Sequence, residues 1–344
     1  MSEPVVLSLD ALSARVEAIF RAGGLSPLQA EAVTRIVVAG ERDGAKSHGI
    51  YRIEGALRTV EAGKVRPDAL PALQPPDGSA VIRVDAGHGF APAAFELGLP
   101  ALVDAAFRHG LAALVINDCT HFSALWPEVE ALAAEGLAAL ALCPSYSAVA
   151  PAGGTAPLLG TNPLAFAWPR SGTDPYVFDF ATSMVARGEI ELHRRAGRAL
   201  PEGWAIDAEG APTTDPDAAL EGAMLPFGGH KGSAIATMIE LLAGVMIGDL
   251  TSPEVLDALG TTSLSPMHGE LILAFSPSAF SRGRQGDPLA RAELLFGQIL
   301  AQGARLPSQR RFDARRRARE DGVALTAEES AFLDRLLREA EDIR

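Results

Sequence analysis

Five short apolar runs constrain this chain most: Leu111–Ile116, Leu137–Leu142, Leu164–Trp168, Tyr176–Phe180 and Leu271–Phe275. Runs this short have strand length, and no greasy stretch, Met238–Ile247 included, reaches the ~20 residues that a membrane helix needs. Ala80–Val84 reads as a further strand, and the turn Arg170–Asp174 splits two of the five. Helical patterns stand between them. Pro92–Arg108 is closed by Gly110, Trp126–Ala134 has Pro127 in its first turn and Gly136 after it, and Ser233–Ile247 is long and apolar. The centre of the chain is therefore mixed α/β.

Both ends are helical. Ser8 precedes the one-sided stripe Leu12, Val16, Ile19 and Phe20, which stops at Gly23-Gly24. Ser26-Pro27-Leu28-Gln29 then predicts an N-cap, a first-turn proline and a capping-box acceptor, for a helix running toward Gly40. Gly63–Gly78 is a proline-rich connector. Asp287–Gln302 has helix length, and Thr326-Ala327-Glu328-Glu329 is a capping box that starts the last helix. The two helical ends are expected to pack together, making one domain discontinuous in sequence.

The 344 residues are 48% hydrophobic, 21% charged and 6% aromatic, which excludes a disordered chain, a collagen-like repeat and a disulfide scaffold. The length suggests two domains or one elaborated domain. A net charge of −13 argues against nucleic acid or an anionic membrane as the main partner. Two cysteines, Cys119 and Cys143, fit a reducing compartment, and MSEPVVLSLD has no secretory pattern, so a cytoplasmic protein is expected. Only three of the thirty basic residues are lysines (Lys46, Lys64 and Lys231), and two of these sit in glycine-flanked motifs.

The usual nucleotide fingerprints are missing. Gly87-His88-Gly89 comes closest to G-x-G-x-x-G, but Pro92 stands where the third glycine belongs. No P-loop, H-E-x-x-H or G-x-S-x-G occurs, and no histidine pairs with cysteine at metal-ligand spacing, so no metal site is expected.

Five polar, glycine-punctuated segments carry the chemistry instead. In the first, Arg42–Arg52, Ser47 beside His48 offers a hydroxyl–imidazole pair. If the segment is helical, Arg52 shares a face with His48, and its fork suits a carboxylate. A surface turn with a capping serine is the plain alternative. The second, His121-Phe122-Ser123-Ala124-Leu125-Trp126-Pro127, follows a strand, where α/β folds place ligands; a capped helix start and a core histidine explain it equally well. The third, Pro151–Gly154 running into Gly160-Thr161-Asn162-Pro163, is either a close-approach loop or simply a turn.

In the fourth, Asp179-Phe180-Ala181-Thr182-Ser183 ends a strand just before Arg187-Gly188-Glu189, a place to hold ribose hydroxyls or to cap a helix. The fifth, Pro226-Phe227-Gly228-Gly229-His230-Lys231-Gly232-Ser233, feeds a helix N-terminus with an added ammonium and reads as a phosphate cradle. Arg305, Arg310, Arg311, Arg315, Arg316, Arg317 and Arg319 form a basic cluster near the C-terminus, either a solvated helix face or in part a phosphomonoester clamp. Together the segments point to an enzyme that binds a phosphorylated cofactor and a small acid.

In this order, Ser47-His48-Gly49, His121-Phe122, Gly160-Thr161-Asn162-Pro163, Asp179–Ser183 and Gly228–Gly232 resemble the malate/L-lactate dehydrogenase family, whose fold is not Rossmann. The match covers about residues 10–320. Within that family the chain is most similar to the Δ1-piperideine-2-carboxylate/Δ1-pyrroline-2-carboxylate reductases, through His121–Pro127 and Pro226–Ser233. Hydroxy-acid members tend to have a glycine after the His-Phe pair and a different residue before the lysine.

The resemblance implies a homodimeric reductase with a mixed, largely antiparallel central sheet flanked by helices, using NADPH, with NADH as the weaker cofactor. It implies a helical substrate domain over 1–118, rejoined by 285–344, and an NADPH-binding domain over 119–284. His48 would be the proton donor, with Ser47 and Glu189 completing a relay, and Arg52 and Thr161 would hold the substrate. His121, Phe122, Ser123, Ala124, Leu125, Asp179, Phe180, Ala181, His230, Lys231 and Arg305, Arg310 and Arg311 would hold NADPH. The relay acid is Asp in a relative but Glu189 here, which moves the charge out by a methylene. The implied reaction is hydride transfer to C2 of a cyclic imino acid, giving L-pipecolate or L-proline. The alternatives are a 2-hydroxy-acid dehydrogenase of the same family and a nucleotide-binding protein without turnover.

Overall fold

The computed structural model describes residues 4–75 and 77–342. The chain opens with β1 (Val5–Leu7), α1 (Leu9–Ala22) and α2 (Pro27–Arg42); a 3-10 turn at Lys46–His48 then leads into α3 (Tyr51–Glu61). Next come β2 (Ala72–Leu73), β3 (Val81–Asp85), α4 (Ala91–His109), β4 (Leu111–Thr120), α5 (Trp126–Ala134), β5 (Ala138–Leu142), β6 (Leu164–Trp168) and β7 (Tyr176–Phe180). The following stretch holds α6 (Arg187–Arg195), β8 (Ala205–Ile206), β9 (Pro212–Thr213), α7 (Pro216–Glu221), β10 (Ala223–Met224), α8 (His230–Glu240), α9 (Ser252–Leu259) and β11 (Met267–Phe275). The chain closes with α10 (Pro277–Phe280), α11 (Pro288–Ala301), α12 (Gln309–Asp321), β12 (Val323–Leu325) and α13 (Ala327–Asp342).

The central sheet has seven strands in the order β2-β3-β4-β11-β5-β6-β7. Only β3 and β4, joined through α4, run parallel; the other pairs are antiparallel, as expected. Both faces are covered, which is why the strands read as continuous apolar runs. Leu114, Ile116, Ile272 and Ala274 pack under Leu102, Val129 and Leu132 of α4 and α5. Val115, Leu142 and Leu271 pack under Ile239, Ala243 and Ile247, on and just beyond α8.

The chain ends meet. β1 pairs antiparallel with β12, Val5 opposite Leu325, and Leu12, Val16, Ile19 and Phe20 of α1 share a core with Leu333 and Leu336 of α13. Within the returning stretch, α11 lies along the β7 edge. There Tyr176 and Phe296 stack at 5.2 Å, and Arg170 Nε donates to Glu293 Oε1 at 2.7 Å.

Three local expectations change. β4 runs to Thr120, four residues beyond its apolar run, because Asp249 Oδ2 accepts from Asn117 Nδ2 and from the Asp118 N–H, each at 3.0 Å. The long apolar helix begins at His230, not Ser233, and turns π-helical over Leu241–Val245. Ser26 caps α2, but Gln29 does not complete a capping box. Its fully buried amide instead donates to Ala69 O (2.9 Å) and accepts from the Phe90 N–H (2.9 Å), tying α2 to the start of α4. Among the described residues no helix is long and apolar enough to cross a membrane.

Candidate active site

The Ser47-His48 turn sits where it does because two glycines leave room for it. A Cβ on Gly40 would lie 2.4 Å from His48 O, and one on Gly49 would lie 2.0 Å from Glu41 Oε1. In that space the buried Glu41 carboxylate accepts from the Ile50 N–H at 2.9 Å and pairs with Lys46 Nζ at 2.5 Å. Lys46 thus clamps the turn onto α2, and it also reaches Glu329 of α13 at 3.1 Å.

The segment is not one helix: a 3-10 turn ends at His48, and α3 starts anew at Tyr51. Arg52 nevertheless returns to the same place. Its Nε donates to Ser47 O at 2.8 Å, while Ser47 Oγ lies 3.0 Å from His48 Nδ1. The His48 ring stands edge-on to Trp126 at 6.3 Å. Burial first, and then the Arg52 guanidinium, hold His48 down to about 3, so its imidazole is neutral in the free protein.

These groups open onto a cavity of about 1590 Å³. Of the sequence-predicted residues, His48, Arg52, His121, Phe122, Ser123, Ala124, Thr161, Asp179, Phe180, Ala181, Arg305, Arg310 and Arg311 line it. Ser47 lies outside the lining and reaches it through His48. Leu125 is buried outside the lining and donates its N–H to Asp179 Oδ2 at 2.8 Å, as Trp126 does at 2.9 Å. Asp179 is thereby held at the N-terminus of α5, where burial pushes its carboxyl up to about 6 against the pull of those two N–H groups. The Thr161 carbonyl accepts from the Thr182 N–H at 2.8 Å, and the buried Asn162 amide anchors the loop by donating to Glu240 Oε1 at 2.7 Å.

Three expected residues are not brought to this cavity. Glu189, on the first turn of α6, has its carboxylate 3.8 Å from His193 Nε2, and among the described residues no hydrogen bond joins it to Ser47 or His48. Its neighbour Gly188 does line the cavity, beside Tyr51. His230 and Lys231, at the head of α8, are exposed and outside the lining.

The arginine cluster divides. Arg311 and Arg315 turn inward onto the buried Asp43 and onto Glu130, with Arg311 Nη1 3.1 Å from Asp43 Oδ2 and its guanidinium 4.8 Å from the Trp126 ring. Desolvation works against Asp43, but Arg315 and Arg42 outweigh it and bring its carboxyl down to about 2. Arg305, Arg310 and Arg317 are exposed on the cavity rim and have no ion-pair partner among the described residues.

Sequence reading missed several groups. Tyr146, just past β5, lines the cavity near Arg52; polar residues at a strand end were the available signal. Below His121 lie Cys143, His268, Glu128 and Glu270, all buried. His121, Cys143 and His268, and likewise His121, Glu128 and Glu270, each bring three donor atoms within 4.8 Å. Spacing along the chain could not reveal these groupings, although a glutamate directly before the apolar run of β11 was visible. His121 Nε2 is 3.5 Å from Ser123 Oγ, and burial, with His268 next, holds its ring down to about 3. Burial pushes both carboxyls up, which works against metal ligation, because a metal takes the ionised carboxylate.

The comparisons with known proteins agree with this architecture. The Δ1-pyrroline-2-carboxylate reductase of Agrobacterium fabrum is 68% identical over 99% of each chain. The Δ1-pyrroline-2-carboxylate/Δ1-piperideine-2-carboxylate reductase of Pseudomonas aeruginosa is 54% identical over 93% of this chain and 95% of its own. The crystal structure of Δ1-piperideine-2-carboxylate reductase from Pseudomonas syringae pathovar tomato superposes with a TM-score of 0.91 at 39% identity, over 96% of this chain and 99% of that one. Residues 7–334 match the malate/L-lactate dehydrogenase family, and the chain belongs to that family of pyridine-nucleotide-dependent oxidoreductases.

Proposed function

We propose that the cavity reduces a cyclic imino acid, Δ1-pyrroline-2-carboxylate or Δ1-piperideine-2-carboxylate, to L-proline or L-pipecolate. The observation that carries this reading is the convergence of a neutral, half-buried His48 and the Arg52 guanidinium on one cavity. Arg52 is placed to take the substrate carboxylate through its free guanidinium nitrogens, its Nε being committed to Ser47 O. A carboxylate there offsets the charge that helps depress His48, so substrate binding raises the affinity of His48 for a proton. His48 then holds that proton at the ring nitrogen, Ser47 keeps the imidazole oriented through Nδ1, and the Trp126 ring walls one side against water. Thr161 supplies a further polar contact from the opposite loop.

The cavity has room for a nicotinamide nucleotide, which supplies the hydride when bound. Arg305 and Arg310, which have no ion-pair partner among the described residues, suit a 2′-phosphate and favour NADPH, with NADH the weaker cofactor; Arg311, engaged by Asp43 and Glu130, shapes the wall. His121–Ala124 and Asp179–Ala181 form the remainder of the cofactor surface.

Relay membership for Glu189 requires a movement of α6, and cofactor contact for His230 and Lys231, at the head of α8, is supplied to a second copy of the chain. An exposed apolar stripe supports a homodimer: Met238, Leu241, Val245 and Met246 are 38%, 54%, 58% and 61% exposed, on the helix that His230 and Lys231 begin. Leu241→Glu is expected to shift sedimentation toward monomer. Buried free thiols at Cys119 and Cys143 agree with a cytoplasmic setting.

The deciding assay follows NADPH oxidation across cyclic imino acids and 2-keto acids. Preferred turnover of the imino acids is expected, whereas preferred turnover of pyruvate or oxaloacetate would make the protein a hydroxy-acid dehydrogenase. Binding of NADPH with no turnover of either class would leave the non-catalytic alternative.

A further inference from the structure

Glu270 in β11 is fully buried, with no hydrogen-bond partner at either carboxyl oxygen among the described residues, and Glu128 on the first turn of α5 is 1% exposed, with Oε2 likewise unpartnered among them. Together with His121, the two bring a nitrogen and two carboxyl oxygens within 4.8 Å. His121 Nε2 lies 3.9 Å from Glu270 Oε1, and His121 itself lines the cavity. The charged groups acting on Glu128 are Glu270, Asp179 and Glu130, all acidic. Around Glu270 stand His268 on its own strand, Cys119 on β4, Cys143 beyond β5 and His121 in the loop. The imidazoles are kept neutral by burial, and both thiols are pushed well above their usual range. Ionising either carboxyl in these surroundings is costly. Arg311 and Arg315 are taken up by Asp43 and Glu130, so a further cation that favours ionisation has to come from the open side, which is the cavity.

We propose that Glu128 and Glu270 are specificity-determining residues that act through His121: the pair gives up a proton when a cation occupies the cavity, and so favours substrates with a positively charged ring nitrogen over neutral 2-keto acids. The inference rests on the imine-reductase reading of the cavity. A protonated cyclic imine carries its charge at the nitrogen, next to the carbon that receives hydride, whereas a keto acid has no charge there. A carboxylate behind the His121 wall distinguishes the two by charge, without touching either. At neutral pH, burial keeps the pair protonated, with Glu270 pushed up to about 8, so an arriving cation releases a proton and an uncharged ring does not.

The test compares two ligands on the NADPH-loaded full chain, where the nicotinamide is uncharged and neither ligand can react: L-proline, whose ring nitrogen is cationic, and furan-2-carboxylate, which has a five-membered ring and a carboxylate but no such charge. Calorimetry at pH 7 in buffers of different ionisation enthalpy counts the protons exchanged. Both ligands place a carboxylate near Arg52, so the difference between them isolates the ring charge. Wild type is expected to release more protons with L-proline than with furan-2-carboxylate. In Glu270→Gln or Glu128→Gln this difference should vanish, with kcat/KM for Δ1-pyrroline-2-carboxylate falling about tenfold or more and furan-2-carboxylate affinity changing less than about twofold. Glu270→Asp should restore part of the loss. Equal proton counts for the two ligands in wild type would overturn the proposal, even if neither Gln variant folds; so would equal weakening of both ligands in the variants. Failure of wild type to turn over cyclic imino acids would instead reject the proposed function.

Discussion

At the scale of single residues, the site depends on close approach more than on any one contact. Gly40 lets α2 touch the backbone of His48, and a methyl group there would overlap its carbonyl carbon at 2.6 Å. Gly40→Ala is therefore expected to push the Ser47–His48 turn outward, with a loss of about 1–3 kcal/mol in denaturant unfolding and a fall in turnover larger than that in affinity for NADPH. Unchanged turnover would mean that the turn tolerates displacement. Arg52→Lys should mainly raise KM, because an ammonium cannot reproduce the planar fork, and an unchanged KM would show that another group holds the carboxylate. Sequence made His48 and Arg52 visible as types at a helical spacing. It could not show that Gly49 breaks the helix between them and that both still face one cavity.

At the scale of elements, α12 presents two opposite surfaces. Arg311 and Arg315 face inward onto Asp43, which is fully buried, whereas Arg310 and Arg317 face the rim without ion-pair partners among the described residues. Arg315→Ala should destabilise the fold by about 1–3 kcal/mol, since it leaves part of a buried carboxylate unpaired, and should leave cofactor choice unchanged. Arg305→Ala with Arg310→Ala should keep the melting temperature and erode the preference for NADPH over NADH; an unchanged cofactor ratio would place the 2′-phosphate elsewhere. A run of arginines alone did not disclose which of them pair. Where punctuation was unambiguous, the reading was close. Pro127 and Gly136 bracket α5, and the Thr326–Glu329 capping box forms with bonds of 2.8 and 3.1 Å. The same signal at Thr251–Glu254 starts α9, a helix of only eight residues that no long apolar run announces. Gln29 misled because tertiary partners claimed the amide that a local box would have used.

At the scale of the whole molecule, the buried titratable groups set opposing pH limits on stability. His48 and His121, each held to about 3, take up protons on unfolding, so stability falls as pH drops from about 6.5 toward 3. Glu270, pushed up to about 8, gives up a proton on unfolding, so stability falls as pH rises from about 4.5 to 8. The two trends oppose between about 4.5 and 6.5; above that range only the carboxyl trend remains. The melting temperature of wild type should thus decline from pH 6.5 to 8, and Glu270→Gln should flatten the decline. A decline of equal slope in both proteins would assign it to other groups. The overall architecture was legible because apolar runs covered on both faces leave a strong trace in sequence. The clustering of His121, Cys143, His268 and Glu270 was not, because the sheet order alone brings β11 between β4 and β5. The central claim is that His48 manages the proton of an imine reduction, and turnover of Δ1-pyrroline-2-carboxylate by His48→Ala with saturating NADPH tests it most directly. The account predicts a fall of about a hundredfold or more with NADPH binding retained. Turnover within a few-fold of wild type would contradict it.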